Sequence, residues 1–273
     1  MIGTTRGCDP HDHLCLAYAD PGEFHSQLLE FLADGLALGR RVCYAAYRDT
    51  AALWGDLQDL DETKRSRRPG AVQVQSLDDP TSTVVRPVDL VQGYAAATED
   101  ALAAGFTGLR VAIEATPLVR SPEQLDAFAR FEHLIDRYMT SRPFSALCAY
   151  NRGELGEETI AAIACLHPTA NGVAAPFRLH ASTRAVACLG GELDLTSREL
   201  FPMALRRVDI RPTDGELVID ATGLDFIDHH SMLALADYAR SIDATVVLRT
   251  DLPSPARIIE ILDLLDMQVE PSV

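Results

Sequence analysis

Three tyrosines, Tyr18, Tyr47 and Tyr150, each close a short apolar run, and Glu114 lies near the end of a fourth. If those runs are strands of one parallel sheet, their carboxyl ends meet along one edge, where open α/β sheets bind ligands. Phenol groups and one acid at such an edge suit a small organic ligand, with Arg48 and Arg110 within sequence reach. The same tyrosines can instead simply cover the sheet end, and spacing alone does not separate the two readings. No Ser–His–Asp, paired-carboxylate or Cys–His arrangement follows from the spacing, so no catalytic residue is assigned.

Other residues with chemical potential are fewer. His11, His13 and Cys15 alternate and so share one strand face, as metal ligands can. Three ligands from one strand make poor tetrahedral geometry, and Cys15, Cys43 and Cys148 sit mid-run as small buried residues do. A structural role is expected, with no metal and no cofactor. Glu132 and His133 stand in a helical repeat whose apolar side is Phe128, Phe131 and Ile135. Glu132 borders that side and can reach a strand end, but a solvated face is the expectation. Asp228, His229, His230 and Ser231 follow an apolar run and precede an amphipathic stretch, so Asp228 is placed to cap a helix. The histidine pair can titrate near neutral pH or carry phosphate, against the plainer expectation of two solvated loop side chains.

Positioning these residues requires alternating strands and helices. Apolar runs at His13–Tyr18, Arg41–Tyr47, Val72–Gln75, Leu109–Ala115 and Ser145–Tyr150 read as strands. Between and after them, Glu23–Leu38, Thr50–Leu60, Pro87–Ala104, Pro122–Thr140 and Glu157–Cys165 read as helices, the fourth opened by Ser121-Pro122-Glu123. Strands this apolar throughout are buried on both faces, so an α/β, three-layer parallel sheet is predicted over 11–166. Residues 167–176, rich in Pro, Gly and small residues, read as a linker. The alternation restarts with strands Phe177–Ala181, Ala185–Gly190, Leu217–Ala221 and Thr245–Arg249 and helices Arg198–Arg207, Ser231–Ile242 and Pro255–Leu265, predicting a smaller α/β domain over 177–269.

Composition narrows the function classes. The 273 residues carry a net charge of −16, against direct nucleic-acid binding, which needs clustered cations. Of 24 cationic residues only Lys64 is a lysine, so any lysine chemistry must use it. The six cysteines form no CxxC pair. No run approaches the roughly 18 apolar residues of a membrane span. Met1–Arg6 has no apolar core for a signal peptide, so a cytoplasmic location is expected.

The C-terminal part resembles a STAS domain, the fold of anti-sigma-factor antagonists. The likeness rests on Gly190-Gly191-Glu192-Leu193-Asp194-Leu195, Leu217-Val218-Ile219-Asp220 and Leu224-Asp225-Phe226-Ile227-Asp228, in the expected order across nearly all of 177–269. It implies docking to an anti-sigma factor or kinase-like ATPase, controlled by phosphorylation of a hydroxyl after the aspartate. Here His230 stands at that hydroxyl's usual position and Ser231 at that of a glycine. The N-terminal part resembles the MEDS sensory domain through Asp12-His13-Leu14-Cys15-Leu16-Ala17-Tyr18, Leu147-Cys148-Ala149-Tyr150 and His167-Pro168, spanning about 11–168. It is also similar to a RecA/KaiC-type ATPase core, with Phe31–Gly39 matching the first helix and its end. The phosphate-loop position holds Ala19–His25, with one glycine, a proline and two carboxylates, which cannot cradle phosphate. These likenesses imply a non-enzymatic bacterial signalling regulator that senses through the first domain and docks through the second. The alternatives are a nucleotide-dependent transferase or hydrolase using Glu114, and a pure docking scaffold.

Overall fold

The computed structural model describes residues 12–60, 68–77, 84–173 and 175–272. His11, Lys64 and Met1–Arg6 lie outside them. Among the described residues, six parallel strands form the first sheet: β1 (His13–Tyr18), β2 (Arg41–Ala46), β3 (Val72–Ser76), β4 (Leu109–Glu114), β5 (Phe144–Asn151) and β6 (Thr169–Asn171). Their spatial order is β3-β2-β4-β5-β1-β6. The helices between them are α1 (Pro21–Ala37), α2 (Thr50–Asp56), α3 (Pro87–Ala103), α4 (Pro122–Met139) and α5 (Arg152–Ala164).

That order decides which helix covers which face. The steps from β1 to β2 to β3 run toward one edge, and the later steps run the other way. Right-handed crossovers therefore put α1 and α2 on one face and α3, α4 and α5 on the other. The cores agree: Leu16, Tyr18 and Tyr44 pack with Phe31 and Leu53, whereas Cys15, Val111 and Cys148 pack with Tyr94, Phe128 and Ile160. The three-layer α/β class holds.

Helix starts follow local chemistry. Asp20 caps α1 by accepting from Glu23 N, and Asp49 caps α2 by accepting from Ala52 N. Ser121 and Gln124 close a reciprocal capping box on α4, with Pro122 in its first turn. Gly156, at φ 78°, breaks the first turn of α5 from the rest. The segment 167–176, expected as a linker, instead contains β6 paired to β1, and His167 within it is fully buried.

The second sheet is smaller and mixed. It comprises β7 (Phe177–His180), β8 (Ala187–Leu193), β9 (Glu216–Asp220), β10 (Leu224–Ile227), β11 (Thr245–Arg249) and β12 (Met267–Glu270). The order is β10-β8-β9-β11-β12, with β7 antiparallel to β8. Its helices are α6 (Leu200–Val208), α7 (His229–Ser241) and α8 (Pro253–Leu262). The two units share packing: Ala129, Cys165 and Leu166 belong to the second core, Leu179 N donates to Cys165 O at 2.7 Å, and Arg207 pairs with Asp126 at 2.7 Å. Among the described residues no helix is long and apolar enough to cross a membrane.

Gly191 sits where β8 pairs with both β7 and β10, at φ 86°. A Cβ there would lie 2.7 Å from Pro176 O, whereas one at Gly215, φ 81°, would meet nothing within 4 Å. Gly215→Ala is expected to cost about 1 kcal/mol through left-handed strain alone. Gly191→Ala adds a backbone clash and is expected to cost about 2 kcal/mol more, measured by urea unfolding.

Candidate functional site

The strand-end tyrosines do not form one rim. Side chains alternate across the sheet, so Tyr18 faces α1, while Tyr150 and Tyr47 pack on the opposite face. Tyr18 and Glu114 do meet: the phenol donates to Glu114 Oε1 at 3.1 Å. The same oxygen accepts from Thr116 N at 3.3 Å and from Thr116 Oγ1, and Thr116 Oγ1 accepts from Asn151 N. Glu114 is thus the tie between the ends of β1, β4 and β5. Burial outweighs these hydrogen bonds and raises its carboxyl above the usual carboxylate range. Arg48 instead pairs with Asp56 at 2.6 Å, beside Tyr44. Arg110 lies near the start of β4, fully buried under α1, with its guanidinium 4.2 Å from the Phe31 ring and 3.4 Å from Asp34. It therefore lies away from the strand end that it could have reached in sequence.

The opposite face holds a dense cluster of ionisable groups that the sequence did not announce. Glu132, expected on a solvated face, is fully buried, and His133 is nearly so. The reason is that α4 lies between the first sheet and the C-terminal unit, so both flanks of its apolar side are covered. His13 of β1 approaches Glu132 Oε2 with Nε2 at 2.8 Å and Asp136 Oδ1 with Nδ1 at 3.2 Å. Tyr150 donates to Glu132 Oε1 at 2.5 Å. Cys148 Sγ lies 3.7 Å from both Glu132 Oε2 and His13 Nε2. His167, just beyond α5, sets its ring 4.2 Å from that of His13 at a tilt of 44°, with Nε2 3.6 Å from Glu132 Oε2.

Charges in this cluster follow from its partners. Burial opposes an ionised Glu132, but the facing His167 and His13 and the hydrogen bonds from His13 and Tyr150 hold its carboxyl down to about 2. Burial opposes an imidazolium at His13 as well, yet Glu132 and Asp136 raise it well above the ordinary value. His167 is pushed down to about 4 by burial and by His13. Burial and Glu132 push the Cys148 thiol up to about 12. Asp136 also accepts from Ala181 N at 2.6 Å, so one carboxylate joins His13 to the C-terminal unit. Of His11, His13 and Cys15, read as sharing one strand face, His13 enters this cluster, Cys15 is buried on the same face, and His11 lies outside the described residues.

In the C-terminal unit, Asp228 caps α7 by accepting from Ser231 N at 2.8 Å. His229 and His230 are the first residues of α7 rather than a loop, with rings 4.0 Å apart. His229 is exposed, His230 half-buried and Ser231 buried with its hydroxyl unpaired.

Tyr150→Phe removes the donor to Glu132 Oε1 and leaves a buried carboxylate oxygen unpaired. A loss of about 2–3 kcal/mol in urea unfolding is expected. Because the native carboxyl of Glu114 is raised, its contribution to stability is present below the unfolded carboxylate range and lost as pH rises through the native value. Glu114→Gln keeps an acceptor for Tyr18 and is expected to gain stability relative to the parent chain between pH 4.5 and 7, read from paired unfolding curves.

The MEDS family, described as the methanogen/methylotroph, DcmR sensory domain, matches residues 12–168, from β1 to the segment after α5. No curated protein matches the chain. The match spans more than half of the sequence and takes in His13, Glu114, Glu132, Cys148, Tyr150 and His167, so the chain belongs to the MEDS family of sensory domains.

Proposed function

We propose that the chain is a non-enzymatic signalling regulator, with its MEDS domain as the sensor and its C-terminal unit as a STAS-like docking module. The proposed partner is an anti-sigma factor or a related kinase-like ATPase. The observation that carries the docking half is the start of α7. Asp228 closes it, and the register of β8 with β10 sets Leu193 opposite Ile227, so Leu195 and His229 emerge at the same end of neighbouring strands. Leu195 is 70% exposed and Phe226 46%, and His229 at the start of α7 is exposed as well. Apolar and aromatic groups around a histidine pair suit a protein surface.

The buried hydroxyl of Ser231 argues against a shifted phosphorylation register, since a kinase would have to unwind the first turn of α7 to reach it. Docking is then governed by the histidine pair rather than by a phosphohydroxyl. On the sensing side, a cleft of about 270 Å³ between β2, β3, β4 and α3 has apolar walls from Leu90, Tyr94, Leu109 and Val111 and the amides of Gln73 and Gln75. Such walls favour a small, mostly apolar organic ligand. At the start of α1, Glu23 N is already taken by the Asp20 carboxylate, which supports the exclusion of nucleotide from that strand end.

Calorimetry of the full chain against a purified ATPase-type anti-sigma factor from the same cells tests this reading. The double change His229→Ala, His230→Ala is expected to weaken binding by about tenfold or more, and Ser231→Ala to leave it unchanged. No binding by the parent chain, or equal binding by the double variant, overturns the docking assignment. Micromolar affinity of the chain for ATP overturns the non-nucleotide reading.

A further inference from the structure

Four side chains from separate parts of the chain bring donor atoms to one point inside the MEDS domain: His13 of β1, Glu132 of α4, Cys148 of β5 and His167 after α5. One donor atom from each lies within 4.8 Å of the others, and all four residues are buried. The separations are 2.8 Å for His13 Nε2 to Glu132 Oε2, 3.6 Å for Glu132 Oε2 to His167 Nε2, and 3.7 Å from Cys148 Sγ to both His13 Nε2 and Glu132 Oε2. A tetrahedral ion with bonds of about 2.0–2.3 Å places its ligand atoms roughly 3.3–3.8 Å apart. Of these four separations, the His13–Glu132 contact is the one that is shorter, and replacing its shared proton by a cation opens it.

The supporting hydrogen bonds aim these donors inward. His13 Nδ1 is held by Asp136 Oδ1 at 3.2 Å, and His167 Nδ1 by Ile163 O at 3.0 Å, which turns both Nε2 atoms toward the common point. Tyr150 takes Glu132 Oε1 and leaves Oε2 facing the same way. Ligands fixed by outer hydrogen bonds of this kind are how proteins hold transition metals. A second, independent sign is His167 Nε2, which has no hydrogen-bond partner although the residue is fully buried. A buried polar atom without a hydrogen bond is costly, and a cation at the common point satisfies it.

We propose that His13, Glu132, Cys148 and His167 form a four-coordinate site for a divalent transition-metal ion of the Zn²⁺ type. Two imidazoles, a thiolate and a carboxylate suit a borderline-soft ion and are wrong for Mg²⁺ or Ca²⁺, which take oxygen. On binding, Cys148 gives up its thiol proton and His13 its Nε2 proton, both to solvent, while the metal takes the freed electron pairs. The site stands independently of what the C-terminal unit docks.

The test uses the full chain, stripped by refolding in chelator and titrated with Co²⁺ and then Zn²⁺. One Co²⁺ per chain is expected, with the strong visible absorption of a tetrahedral ion and a thiolate-to-cobalt charge-transfer band, both lost when Zn²⁺ displaces it. Cys148→Ser should abolish the charge-transfer band. His167→Ala should weaken Co²⁺ binding by more than the roughly 10–100-fold typical of losing a supporting hydrogen bond. If either variant fails to fold, X-ray absorption of the Zn²⁺-loaded parent chain decides, with one sulfur and three nitrogen or oxygen neighbours expected. A parent chain that takes up neither ion when refolded in its presence overturns the proposal. So does a bound ion with no sulfur neighbour.

Discussion

A carboxylate with no exposed surface has to find its compensation inside the protein, and Glu132 sets that requirement for the whole MEDS domain. Its partners come from β1, β5 and the segment after α5, which are far apart in the chain and adjacent in space. The strand order β4-β5-β1-β6 makes this possible, because it sets His13 and Tyr150 on neighbouring parallel strands that both face α4. A register slip of one residue in either strand would turn these side chains to the α1 face and strand the charge. The buried carboxylate therefore specifies pairing and register as well as it satisfies hydrogen bonds.

The same alternation explains why the strand-end reading divided. Tyr18 and Tyr150 each end an apolar run, and in one dimension they look equivalent. Their positions along the paired strands differ by one, since Tyr18 is opposite Asn151 and Ala17 opposite Tyr150. One residue of offset sends one phenol to Glu114 and the other to Glu132, on opposite sides of the sheet. Two tyrosine–glutamate contacts result, on opposite faces, in place of the single aromatic rim that was one of the two readings.

Much of the fold was legible because buried parallel strands announce themselves as continuous apolar runs, and β1 and β11 were placed to the residue. The strands missed are β6, β10 and β12, of three or four residues each, too short or too mixed in polarity to show a period. Of the site, His13, Cys148, Glu132 and His167 each carried some signal, but none alone. Glu132 was misjudged because helical periodicity describes one helix against one surface, and α4 is covered by two. His167 was hidden in a segment whose Pro, Gly and small residues suggest a linker, while the strand pairing that buries it is a tertiary fact.

Asp136 has a consequence that reaches past the cluster. One of its oxygens holds His13 and the other accepts the backbone N–H of Ala181, next to β7 in the C-terminal unit. A single side chain thus has a stake in two equilibria, occupancy of the donor cluster and seating of the second sheet against α4. Thermodynamic linkage makes that stake reciprocal: if the proposed ion binds at His13, whatever factor it contributes to the seating of the C-terminal unit, that seating contributes to the ion's affinity. The MEDS domain and the C-terminal unit thus meet in one buried carboxylate.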